Sequence, residues 1–141
     1  MKNTPFILSE GALALPGAWQ DCSINVLRFP QQAATLAITR AWDIKPEEDE
    51  RYLGQQLEKV KQRMKKFTAG EPQDSTLGGH PAREVALQFQ SGQGPVYEKL
   101  AIARIDEHLL VFTLSRMAPF DDEAEAFWAA IKAGLQPEAQ P

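Results

Sequence analysis

Three side chains in this 141-residue sequence are of types that work as nucleophiles, general bases or soft metal ligands near neutral pH: His80, His108 and the single cysteine, Cys22. Both histidines fall in expected turns, Gly78-Gly79-His80-Pro81 and Asp106-Glu107-His108, with nothing at metal-ligand or triad spacing around them. They read as surface residues. Cys22 follows Asp21 with no histidine nearby in sequence, so it reads as a small buried hydrophobe and not as an activated thiol. Glu47, Glu48, Asp49 and Glu50 form a carboxylate cluster, yet an acidic run at a helix start is the ordinary complement to the helix dipole. The Gly92-Gln93-Gly94-Pro95 stretch lacks the following helix and lysine that a phosphate cradle needs. The sequence therefore predicts no catalytic residue, no metal site and no cofactor, and a protein that is not an enzyme.

What remains is binding. Fifteen Lys and Arg against nineteen Asp and Glu give a net charge of −4, which leaves no basic field for nucleic acid or an anionic membrane surface. One cysteine allows no internal disulfide, which points to the cytoplasm. The apolar run Phe6-Ile7-Leu8 is too short for a signal-peptide core or a membrane span, so neither export nor membrane insertion is expected. With 43% hydrophobic and 24% charged residues, the whole of 1–141 reads as a single domain with a frayed tail over 136–141.

The elements that must carry a binding surface follow from periodicity. Short strands are expected over 6–8 and 12–15, with Trp19 at a corner, and then a hairpin of 23–29 and 34–40 turned by Pro30-Gln31-Gln32. From 46 to 67 the period changes to about 3.6, with Leu53, Leu57, Val60, Met64 and Phe67 on one stripe: an amphipathic helix. Strands over 74–77, 83–89, 96–105 and 109–115 follow, and a second helix over 121–135 carries Ala124, Phe127, Trp128, Ile131 and Leu135. Hairpin-linked strands interrupted by helices predict an α+β fold, an antiparallel sheet packed by two helices on one side.

The free face of such a sheet should be polar, and here it is not. Leu27 and Phe29 share one side of their strand and are assigned to the core, which leaves Ile24 and Val26 on the other. Thr35, Ala37 and Thr39 lie opposite Leu36 and Ile38, and Leu100 and Ile102 add apolar bulk beside Glu98 and Arg104. Small residues, branched apolar side chains and hydroxyls suit an apolar helix, because they permit close approach and can bond its polar atoms. Taken alone, the residues leave open that a loop or the second helix covers this face, or that the branched residues serve strand propensity. Gln56, three after Leu53 and four before Val60, sits on or beside the buried stripe, where it faces either water or a groove.

The block Leu15-Pro16-Gly17-Ala18-Trp19-Gln20-Asp21-Cys22-Ser23-Ile24-Asn25-Val26 resembles the N-terminal signature of the Eag chaperones, adaptors for type VI secretion effectors. The resemblance extends to Ile38-Thr39-Arg40 and to Gln56-Leu57-Glu58, and length and element order agree throughout. It implies a Mog1/PsbP-like sandwich and a cytoplasmic homodimer. Its implied role is to bind and shield N-terminal transmembrane helices of PAAR- or Rhs-type effectors before export. Carried over by position, the family's groove points to Ile24, Val26, Thr35, Ala37, Thr39 and Gln56; Leu100 stands where the family's glutamine is expected. With Ile102, these make the expected effector-binding set. The competing expectation is a non-enzymatic regulator or scaffold of the same fold that binds a folded partner through a charged edge.

Overall fold

The computed structural model describes residues 4–136. Its main sheet has seven antiparallel strands in the order β3-β4-β9-β8-β7-β5, with β6 also paired to β7. The strands are β3 (Asn25–Phe29), β4 (Ala34–Ala41), β5 (Lys65–Ala69), β6 (Gln73–Leu77), β7 (His80–Ser91), β8 (Gly94–Ile105) and β9 (His108–Arg116). A separate hairpin of β1 (Phe6–Leu8) and β2 (Gly11–Leu13) precedes them. Of the tail expected over 136–141, all but Gln136 lies outside the described residues.

The two helices, α1 (Asp49–Arg63) and α2 (Asp122–Ala133), lie on opposite faces of the sheet, not on one side as the sequence reading had them. Under α2, Trp128 packs on Leu36, Leu77, Ala101, Ala103, Leu110, Phe112 and Leu114. Under α1, Leu53 packs on Val85, Leu87, Phe89, Leu100, Ile102, Leu109 and Val111. Both sides of β8 and β9 are therefore core, which is why these strands carry apolar residues on both faces, whereas β7 alternates, with Val85, Leu87 and Phe89 toward α1 and exposed Gln88 and Gln90 opposite.

Three local readings change. The first helix stops at Arg63, and Lys65–Ala69 is a strand that the sequence did not reveal. Lys66 takes a left-handed φ of 55°, which turns the chain so that Phe67 reaches the same apolar cluster from a strand. Cys22 is exposed, because the chain before β3 is irregular and lies outside both cores. His108 is half-buried, stacked on Trp42 with ring centroids 4.3 Å apart. The β6–β7 turn is Gly78-Gly79, with φ of 57° and 83°, the two left-handed positions of a tight hairpin. At Gly78 a Cβ would meet the Leu135 carbonyl at 2.5 Å, so glycine also lets the end of α2 close over the turn.

The acidic start of the first helix does more than complement the dipole. Asp49 accepts bonds from Arg104 at 2.6 and 3.1 Å, and Glu50 accepts one from Arg83 at 2.5 Å, which fastens α1 to β8 and β7. A cavity of about 310 Å³ lies there, but its charged residues are already paired with one another, Arg83 with Glu50 and Asp74 and Arg104 with Asp49. It is a structural junction.

Candidate functional site: the uncovered half of the α1 face

Pairing register places the residues of the α1 face in rows across the strands, since directly opposed residues share a face. One row runs Val26, Ala37, Thr113, Leu100, Val85, and the next runs Arg28, Thr35, Ser115, Glu98, Leu87. A third holds Thr39, Val111 and Ile102, with Ile24 just before the start of β3. The helix covers only Val85, Leu87, Leu100, Ile102 and Val111 of these rows. The β3 and β4 ends have nothing packed on them among the described residues: Ile24 is 70% and Val26 59% exposed, and Thr35, Ala37 and Thr39 are half-buried.

The direction of α1 defines one wall of this open floor. Glu50 reaches β7 and Asp49 reaches β8. At about 100° per residue, Tyr52 and Gln56 fall on the Asp49 side of the Leu53–Leu57–Val60 stripe, toward β9 and β4. Tyr52 packs with Ala41 and Ile44 at the edge of the core, and burial pushes its hydroxyl pKa up. From β3 to β8 there are three interstrand gaps, roughly 14 Å. An α-helix with side chains is about 10–12 Å across, so the floor accommodates one.

The floor is held in place from the other face. Phe29 meets Phe127 of α2 edge to face at 5.0 Å. Arg40 donates to the Ser23 carbonyl at 3.2 Å and to Asn25 Oδ1 at 2.7 Å, and its Nε lies 3.4 Å from Asp21. Trp42 Nε1 donates to the Asp21 carbonyl at 2.8 Å. Burial pushes the Asp21 carboxyl up, but bonds from Ser23 and the nearby Arg40 outweigh it and hold the pKa low. Much of the block Asp21 to Val26, with Arg40, is thus a clamp that sets β3 against β4.

Six of the eight expected site residues, Ile24, Val26, Thr35, Ala37, Thr39 and Gln56, come together around this floor. Leu100 and Ile102 lie under α1, 6% and 5% exposed, and form the core at its margin. Leu27 points away from the floor, as expected, but is 47% exposed at the sheet edge and not core. Sequence reasoning missed Tyr52, Thr113, Ser115 and Glu98 as site residues. Period-two spacing from Val111 would have found Thr113 and Ser115, and the four-residue helical step from Gln56 would have found Tyr52.

Together these features make the molecule an α+β sandwich of the PsbP-like kind, with an open apolar and hydroxyl-bearing half-face. A solution structure of cyanobacterial PsbP from Synechocystis sp. PCC 6803 has the same fold, with a TM-score of 0.53 and 12% identity over 75% of this chain and 69% of its own. The chain belongs to the DcrB family, whose model matches residues 10–134, and within it is of the Eag type. It is 27% identical to effector EagT6 of Pseudomonas aeruginosa, over 98% of this chain and 99% of that protein. A crystal structure of the Pseudomonas aeruginosa protein PA94, of unknown function, superposes with a TM-score of 0.75 at 25% identity, covering 97% of this chain and 98% of that one.

Proposed function

We propose that this protein is a chaperone for a type VI secretion effector, and that the uncovered half of its α1 face receives an apolar N-terminal helix of that effector before export. The observation that carries the reading is the change of residue type within one face. Large aliphatic side chains lie where α1 covers the sheet, and Val26, Thr35, Ala37, Thr39 and Thr113 lie where none of the described residues does. The full-length likeness to effector EagT6 supports the effector as partner. The client class is effectors of the PAAR or Rhs type, whose transmembrane helices need shielding from water.

The protein acts in the cytoplasm, as a binding protein and not an enzyme. No helix among the described residues is long and apolar enough to cross a membrane. It works as a homodimer, a state supported by the exposed Ile7, Leu8 and Leu13 of the β1–β2 hairpin. Light scattering across micromolar concentrations reports a dimer on this reading; a strict monomer contradicts that part of it.

Co-expression with effector N-terminal fragments tests the function. A fragment that keeps its apolar segment co-purifies, and the same fragment without it does not. Capture that is indifferent to the apolar segment would sink the proposal.

A further inference from the structure

The open floor holds one carboxylate that the fold leaves half-satisfied. Glu98 stands on β8 in the row Arg28, Thr35, Ser115, Glu98, directly opposite Ser115. The Ser115 hydroxyl donates to Glu98 Oε2 at 2.7 Å. No cation pairs with Glu98 among the described residues, in contrast to Asp49, Glu50 and Glu84, which pair with Arg104, Arg83 and Lys132. Arg28 lies three strands away at the sheet edge. Oε1 accepts no bond from the described residues and is open to water, although an ionised carboxylate accepts several bonds. Burial also pushes the Glu98 carboxyl above the usual carboxylate range, despite the bond from Ser115. Water meets this oxygen in the free protein, and a client that expels the water must supply a donor in its place.

We infer that Glu98 is a specificity determinant of the groove, whose unmet oxygen takes a hydrogen-bond donor from the bound helix. The preferred client is then not a uniformly apolar helix but one with a single donor side chain, an amide or a lysine, in register with the Thr35–Ser115–Glu98 row. The neighbouring hydroxyls reinforce the choice, since they can accept from the same donor. A carboxylate at that place on the client is rejected, because it would meet Glu98 across a desolvated contact.

This inference rests on the groove reading of the preceding subsection, and the test separates the two. The probes are synthetic twenty-residue Leu/Ala helices, carried on a soluble fusion, with one central guest: Leu, Asn, Lys or Asp. Binding to the full chain is read by anisotropy for the wild type, Glu98→Gln and Glu98→Leu. With the wild type, the Asn and Lys helices bind about tenfold more tightly than the Leu helix, the worth of one good hydrogen bond to a charged group, and the Asp helix binds worst. Glu98→Gln keeps the Asn preference and loses most of the Lys preference. Glu98→Leu loses both and binds the Leu helix at least as well as the wild type does. If all four guests bind alike, or if Glu98→Leu leaves the order unchanged, the assignment of Glu98 is wrong while the groove stands. If no helix binds any variant, the groove reading falls and this inference with it.

Discussion

The two halves of the α1 face are built on the same strands and differ in what sits on them. At the covered half, Val85, Leu87, Phe89, Leu100 and Ile102 fill the space beneath Leu53. At the uncovered half, the same rows continue into Val26, Thr35, Ala37, Thr39 and Thr113. A floor meant only for water would carry more charge than Arg28 and Glu98 at its two margins, and a floor meant for this chain's own helix would carry bulk. Small and hydroxylated residues at the uncovered end fit a helix that comes from elsewhere and approaches closely.

Breaking the core and breaking the floor should have opposite signatures. The largest effect belongs to Trp128→Ala beneath α2, which removes a fully buried indole and costs about 3–5 kcal/mol in denaturant unfolding. Next come Ile24→Asp and Val26→Asp together. Both side chains are exposed in the free protein, so circular dichroism and the unfolding midpoint stay near wild type. Client affinity falls by more than a hundredfold, because burying unpaired carboxylates against an apolar helix costs at least ~3 kcal/mol. Arg40→Ala ranks below both. It releases the bonds to Ser23 and Asn25 that fix β3, for a loss of about 1.5–3 kcal/mol, and amide exchange quickens in Asn25–Phe29 before the rest of the sheet.

The smallest effect is in the pH profile. Because the pKa of Glu98 is raised in the folded protein, ionising it opposes folding, and that penalty appears as pH climbs from the unfolded carboxylate value through the folded one. Asp21 runs the other way. Its pKa is lowered, so its contribution is present above the unfolded value and is lost as pH falls through the folded one. Glu98→Gln therefore raises the unfolding midpoint slightly at neutral pH and not at pH 3. Asp21→Asn lowers it at neutral pH and has little effect at acid pH.

Much of this comparison was legible in residue periodicity. Period two placed Ile24, Val26, Thr35, Ala37 and Thr39 on one side of their strands, and the α2 stripe through Trp128 was plain. The end of α1 was not, because Met64 and Phe67 continue the helical spacing while the backbone reverses at Lys66 into β5. Nor was the position of α1 across the sheet, which depends on the Asp49–Arg104 and Glu50–Arg83 pairs, contacts of long sequence separation that no local pattern encodes. That placement puts Leu100 and Ile102 under the helix and leaves Thr113, Ser115 and Glu98 at the margin of the floor. Cys22 was misread for a related reason. Its apolar character suggested burial, but the chain before β3 is held by side-chain bonds to Arg40 and Trp42 and not by packing.

Site-specific photocrosslinking tests the central claim most directly, with a benzophenone side chain at Val26 on the floor or at Ala129 on the exposed side of α2. In a co-expressed complex, position 26 captures the effector, and peptide mapping places the adduct within its apolar N-terminal segment, while position 129 captures nothing. A complex that forms normally but yields adducts only from position 129, or none from position 26, would mean that the client binds elsewhere and that the uncovered half-face is not the groove.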